Sequence, residues 1–307
     1  METTTLGKTG LEVTRLGIGL SEIGYILTRD DVEQAGRVLN AALDAGINFL
    51  DTAACYGISE ELVGKTVSHR RDEFLLATKA GHYVPRGEGE DWTYEVVADS
   101  IDRSLRLMNT DCLDLVQLHS CRIDVLERGD VTRALEDARA AGKTRFIGYS
   151  GDNENAEWAV GSGQFDTLQT SFNLVDQGAR RKILPDAESR GMGIIVKRPI
   201  ANAVWGAARD PRPYEHIPEY TSEYYRRAGM LRAEGPLPEE PDDRILLAMG
   251  FAFGHPEVDV AIIGTKQPEH MLANIDLVSN KLPIPPEAVE ALRDRYDRLE
   301  EEWEQCG

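Results

Sequence analysis

Short apolar runs alternate with longer segments whose apolar residues recur at helical spacing, from the first residues nearly to the last. That alternation predicts repeated βα units and a parallel sheet. Eight runs read as strands: "TRLGIGL" (14–20), "NFLDTA" (48–53), "FLLATKA" (74–80), "LDLVQLH" (113–119), "RFIGYS" (145–150), "TLQTSF" (167–172), "GIIVKRP" (193–199) and "VAIIGT" (260–265). Between them "DDVEQAGRVLNAALDAG" (30–46), whose Gly46 suits a C-terminal cap, "YEVVADSIDRSLRLMN" (94–109), "DVTRALEDARAAGK" (130–143) and "RKILPDAESRGM" (181–192) read as helices. Eight strands each followed by a helix predict an α/β fold, a closed (β/α)8 TIM barrel. A doubly wound open sheet has the same periodicity, but no G-x-G-x-x-G follows the first strand. "TTLGKTGLEVTRLG" (4–17) reads as a hairpin ahead of the barrel, and "PIPPEAVEALRDRYDRLEEEWEQ" (283–305) as a charged surface helix after it. The length, 307 residues, suits one barrel domain spanning 1–307.

One connection breaks the pattern. Residues 200–242, rich in Pro, Tyr and charge, form a loop too long for a simple turn, and it follows the seventh strand, on the face where barrel sites lie. The expectation is a cover over the barrel mouth that selects the substrate through Trp205, Tyr214, Tyr220, Tyr224 and Tyr225. The plainer alternative is that these rings pack against one another and the barrel rim.

Composition narrows the partners. With 34 Lys+Arg against 53 Asp+Glu, the net charge of −19 repels nucleic acid and anionic membranes, so a small-molecule substrate fits better. Cys55, Cys112, Cys121 and Cys306 show no C-x-x-C spacing and nothing pairs them with clustered histidines, so four reduced thiols and no metal are expected. The N-terminus lacks a basic, then apolar leader and no apolar run approaches a membrane span, so a cytoplasmic protein is expected.

Several strands end in reactive groups where apolar residues would be ordinary. "NFLDTA" ends in Asp51, "FLLATKAG" carries Lys79, and "LDLVQLHS" carries His119, all at the end of the barrel where chemistry is done. A buried aspartate and a buried lysine are each expensive alone, yet side by side each explains the other. Tyr56, five residues after Asp51, can lean over the same mouth. Its phenol titrates too high for easy proton exchange near neutrality, and an ammonium beside it favours the phenolate. His119 then offers a second hydrogen bond at a reacting oxygen.

Asp51, Tyr56, Lys79 and His119, in this order, resemble the catalytic tetrad of the aldo-keto reductase family. The resemblance covers essentially the whole chain through "LGKTGLEVTRLGIG", "DTAACYGISEELVGK", "ATKAG", "DLVQLH", "GYS", "LQTSFNLVD" and "IIGTKQPEHMLANI". It implies a barrel enzyme that moves hydride between a nicotinamide cofactor, usually NADP(H), and the carbonyl of a small aldehyde, ketone or sugar, with Tyr56 as proton donor. It also implies that Ser150 and Gln169 hold the carboxamide, although Gly151 replaces a usual asparagine there, with Asp152 or Asn153 as stand-ins. Arg198 stands where many relatives stack an aromatic ring on the nicotinamide; the alternatives are binding a substrate anion or a cofactor phosphate. Gly264, Thr265, Lys266, His270 and Asn274 match the grip on the adenosine end, with Lys266 and His270 expected on one helix face. Relatives strict for NADPH often carry arginine where this chain has His270, and histidine carries little charge near neutrality, which leaves NAD(H) open. Trp205 and Tyr83 are the candidate substrate contacts. Rival readings are a cofactor-bound sensor of the same fold with little turnover, an NAD-linked aldose-type dehydrogenase, and a barrel lyase using the Lys79 amine.

Overall fold

The eight apolar runs are strands of one closed parallel barrel in a computed structural model that describes residues 1–206, 219–299 and 303–306. A two-stranded antiparallel hairpin, β1 (Thr3–Thr5) and β2 (Glu12–Thr14), precedes β3 (Leu16–Gly19), β4 (Phe49–Asp51), β5 (Leu75–Ala80), β6 (Leu113–His119), β7 (Thr144–Ser150), β8 (Thr167–Ser171), β9 (Gly193–Lys197) and β10 (Val260–Ile263). Neighbours run β10-β3-β4-β5-β6-β7-β8-β9, and β10 closes back onto both β3 and β9. Helices such as Val32–Asp44, Tyr94–Met108 and Asp130–Ala140 return the chain between strands, with Gly46 (φ 89°) turning it out of the first of these. No helix among the described residues is long and apolar enough to cross a membrane.

Period-two alternation sorts the barrel interior into two ends. Toward the N-terminal ends, Phe49, Ala77, Leu115, Ile195, Val260 and Ile262 form an apolar cluster that the hairpin closes with Leu6, Leu11 and Val13. Two residues later on the same strands the inward positions become Asp51, Lys79, Gln117 and Lys197. One end is therefore sealed by hydrophobic contact and the other carries the polar groups.

The expected long loop at 200–242 is partly helical. Residues Glu219–Ala233 form a helix, with Tyr220, Tyr224, Ala228 and Leu231 repeating on one face, and a second helix spans Arg244–Phe253. The prolines on either side hide that periodicity from a reading by composition. Tyr214 lies outside the described residues.

The helix and the C-terminal segment meet at Asp176. Its Oδ2 accepts from the Tyr224 hydroxyl at 3.1 Å and the Cys306 N–H at 3.0 Å, and its Oδ1 accepts from Arg227 at 3.4 Å. Gln305 is buried among strand ends, donating from Nε2 to the Ser171 carbonyl (2.6 Å) and the Thr170 hydroxyl (3.0 Å), and exchanging backbone and side-chain bonds with Asn153. Burial pushes the Asp176 carboxyl up to about 6, although Arg227 opposes the shift.

Two outcomes test this account. Leu6→Ala removes part of a fully buried plug and should cost about 2–5 kcal/mol in chemical denaturation, without disturbing the Lys79–Asp51 contact at the far end. Because Asp176 binds its proton more tightly when folded, its stabilising protonated state is fully present below the unfolded value of 3.8 and is lost as pH rises through about 6. Wild-type stability should thus rise relative to Asp176→Asn as pH falls from 7 to about 4, by up to roughly 3 kcal/mol for a two-unit shift; parallel pH curves would contradict the assignment.

Candidate active site

β4 and β5 lie side by side, with Asp51 in register with Ala77, so Asp51 and Lys79 face the same interior. Lys79 Nζ donates to Asp51 Oδ2 at 2.5 Å and to the Thr52 carbonyl at 2.9 Å, and both side chains are buried, each residue 1% exposed. The other carboxylate oxygen accepts from Gln169 at 2.8 Å and Gln117 at 3.3 Å. Burial works against the lysine's charge, but Asp51 and Tyr56 together outweigh it and hold the ammonium above its ordinary value.

Tyr56 is placed by a tight crossing of two loops. A side chain at Gly24 would bring its Cβ within 2.1 Å of the Tyr56 carbonyl, so only glycine lets the segment after β3 approach. The Tyr56 ring then stands 5.0 Å from Lys79 Nζ and 5.5 Å from the His119 ring, edge on at 80°. The expectation that Lys79 lowers the phenol's pKa does not hold as a net effect. Burial is the larger influence and keeps the phenol above its ordinary value, while Lys79 pulls the other way. Burial, followed by Lys79 and His82, holds His119 well below the usual imidazole range, so its ring is neutral.

Three neighbours escaped the sequence reading. Gln117 shares Asp51 with Gln169. Cys55 places Sγ 3.3 Å from His119 Nδ1, and His82, two residues beyond β5, stands 5.0 Å from the His119 ring. The expectation that no cysteine meets clustered histidines therefore fails, because residues 27 and 64 positions from Cys55 in sequence are neighbours at adjacent strand ends. Applying the strand-end argument one residue past "ATKAG" would have found His82.

At the β7–β9 side, Ser150 donates to Gln169 Oε1 over a long 3.3 Å. Gly151 has a local cause: a Cβ there would lie 2.4 Å from the Tyr149 hydroxyl, which donates to the Cys121 carbonyl. Neither expected stand-in is free. Asp152 takes Lys197 at 2.9 Å, the Thr170 hydroxyl and the Ser171 N–H, and Asn153 is bound to Gln305. Arg198, with φ of 60°, donates to Ser171 Oγ at 3.0 Å and the Cys306 carbonyl at 2.5 Å and covers the Tyr220 ring at 3.9 Å, so it ties the C-terminal segment to the mouth.

The remaining candidates follow β10. Thr265 is buried and its Oγ1 accepts from the Gln267 N–H at 3.1 Å; Gly264 and His270 are exposed, and Asn274 is half-buried. Lys266 does not share a helix with His270 as expected. The helix is Pro268–Asn280, and Gln267 before its proline is extended (φ −114°, ψ 121°), which leaves Lys266 in the preceding loop. Trp205 is buried in the core with Nε1 on Glu240 at 2.9 Å, whereas Tyr83 is 37% exposed on the loop beside His82.

The sequence profile described as the Aldo/keto reductase family matches residues 15–296. The chain is 27% identical to an L-galactose dehydrogenase of Arabidopsis thaliana over 91% of this chain and 88% of that protein. It is also 27% identical to a D-threo-aldose 1-dehydrogenase of a Pseudomonas species over 89% and 92%. Among solved structures, an aldo-keto reductase from Bacillus halodurans in its holo form superposes with a TM-score of 0.81 at 25% identity, covering 96% of each chain. A closed eight-stranded parallel barrel with a hairpin under one end, together with a family match spanning nearly its whole length, makes this chain a member of the aldo/keto reductase family and an oxidoreductase.

Proposed function

We propose that this protein is an NADP(H)-dependent oxidoreductase that interconverts the carbonyl of a small aldehyde, ketone or sugar with its alcohol, Tyr56 supplying the proton. The observation that carries the reading is the buried Lys79–Asp51 pair with the Tyr56 and His119 rings gathered around it at one mouth.

The chain's residues fit a nicotinamide dinucleotide. The Ser150–Gln169 bond is long and weak, so the Ser150 hydroxyl and the Gln169 carbonyl oxygen can exchange it for a carboxamide at little cost. At the other end, Gly264 and His270 are open to solvent, and Lys266 precedes the N-terminus of a 13-residue helix, a setting that favours phosphate. The cofactor, when bound, supplies the hydride chemistry. Tyr56 holds the proton at its hydroxyl, and burial keeps it there near neutrality, which suits reduction. Lys79 stabilises the phenolate left behind, and Asp51 fixes Lys79. The neutral His119 offers a second hydrogen bond to the carbonyl oxygen and orients it.

A second reading, an NAD-linked aldose dehydrogenase, is favoured by His270 in place of a permanent cation and by relatives named for sugar oxidation. Fluorescence titration with NADPH and NADH, followed by a panel of carbonyls and aldoses, decides between them; binding of neither coenzyme would sink both. Tyr56→Phe should lower turnover by roughly 10²–10⁴-fold, the usual scale of lost acid–base catalysis, while coenzyme affinity stays within a few fold. Equal loss of both would remove Tyr56 from the proton-donor role. His270→Arg should tighten NADPH over NADH by about 1–2 kcal/mol, the scale of one charge-assisted contact; equal effects on both coenzymes would place residue 270 away from the phosphate.

A further inference from the structure

Cys55, His82 and His119 are brought together by three consecutive barrel strands: Cys55 follows β4, His82 follows β5 and His119 ends β6. Each offers one ligand atom, and the three atoms lie within 4.8 Å of one another. The Cys55 Sγ to His119 Nδ1 distance is 3.3 Å. A tetrahedral zinc with Zn–S of about 2.3 Å and Zn–N of about 2.1 Å separates sulfur from nitrogen by roughly 3.6 Å, so this edge is already near its liganded length.

A second feature points the same way. His82 Nδ1 is 2.7 Å from Asp91 Oδ2, which leaves its other ring nitrogen for another partner, and Asp91 Oδ1 is itself fixed by the Tyr83 N–H at 2.7 Å. A carboxylate behind a histidine is the arrangement that orients imidazole ligands and raises their basicity. The loop is pinned as well, since the Trp92 N–H donates to the Gly81 carbonyl at 2.6 Å and its indole to the His119 carbonyl at 3.1 Å.

We propose that Cys55, His82 and His119 form a binding site for a zinc ion at the mouth of the barrel, and that its occupation blocks the carbonyl substrate. Thiolate and two imidazoles are a zinc-type ligand set with a fourth position left open. Binding forms a sulfur–zinc bond and breaks the S–H bond, the proton passing to solvent. Arg86 and Lys79 face the thiol and oppose a dication. Affinity should accordingly be on the order of micromolar, far below that of structural zinc sites. The blocking effect rests on the role assigned to His119 above, because a metal on Nδ1, with its remaining ligand, crowds the mouth beside that ring; the binding does not.

Cobalt(II), titrated into chelator-treated protein loaded with NADPH, should give one equivalent of a thiolate-to-cobalt charge-transfer band that zinc displaces. Cys55→Ser should abolish the band, and His82→Gln and Asp91→Asn should weaken cobalt binding about tenfold or more, with circular dichroism confirming that each variant is folded. Zinc should raise KM for an active carbonyl without changing NADPH affinity. No band in the wild-type protein, or an unchanged band in Cys55→Ser, overturns the site. A band in a protein that turns over no carbonyl would leave the metal site standing and defeat the proposed function instead.

Discussion

A lysine and an aspartate share a dry interior at the polar end of this barrel, and the surrounding structure answers to that pair. An ammonium and a carboxylate removed from water each lose several kcal/mol of hydration, and only close contact with further hydrogen bonds restores it. Lys79 Nζ has Asp51 and the Thr52 carbonyl, and the far oxygen of Asp51 has Gln169 and Gln117. Four strands, β4, β5, β6 and β8, therefore contribute to solvating one ion pair. Such a cage needs inward positions at fixed height on strands that are not all neighbours, which a closed barrel supplies and an open sheet does not.

The mouth around this pair is asymmetric. On the β7–β9 side Lys197 is matched by Asp152, Arg227 by Asp176, and Arg198 is bound to the C-terminal segment, so chain fills the space between strand ends. On the β3–β6 side stand aromatic rings, a thiol and two imidazoles: Tyr56 and Tyr25 with ring centroids 5.7 Å apart, His82 against Trp92 at 5.0 Å, and Cys55 against His119. Bonds on the first side join segments distant in sequence and hold the frame. Groups on the second have spare lone pairs and ring faces, which is where recognition of a small molecule has material to work with.

The barrel was legible because its signal is local. Each strand announces itself in a run of six or seven residues, and the change from apolar to polar at inward positions, Phe49 to Asp51 or Ala77 to Lys79, also marks which end carries the polar groups. His119 was legible by the same logic and Tyr56 by its place in the loop after β4, and the structure sets the Tyr56 ring beside both Lys79 and His119. What escaped depends on distance in sequence. Nothing near Asn153 or Asp152 indicates that Gln305 and Lys197 occupy them, and Gly151 looks like a lost asparagine until the Tyr149 hydroxyl is seen beneath it. The helix Glu219–Ala233 had its periodicity in plain view, but prolines on both sides drew attention to composition. Lys266 was misplaced for a smaller reason: Pro268 starts the helix two residues later than the motif's spacing suggests.

The overall charge acquires a different meaning at the site. A chain of net −19 should repel an anionic coenzyme, yet the cations nearest the mouth do not simply reverse that field. Lys79, Lys197 and Arg227 are each neutralised by a buried acid within 3.4 Å, so they present local dipoles rather than net charge. On the proposed function, attraction for a coenzyme phosphate falls to the first turn of the helix Pro268–Asn280 and the Lys266 side chain before it. That division separates two tasks. Paired ions in the barrel set protonation and geometry and are insensitive to salt, because they are buried. The exposed end after β10 is screened by salt, so on the same proposal ionic strength acts on coenzyme binding while leaving the arrangement around Lys79 and Asp51 untouched.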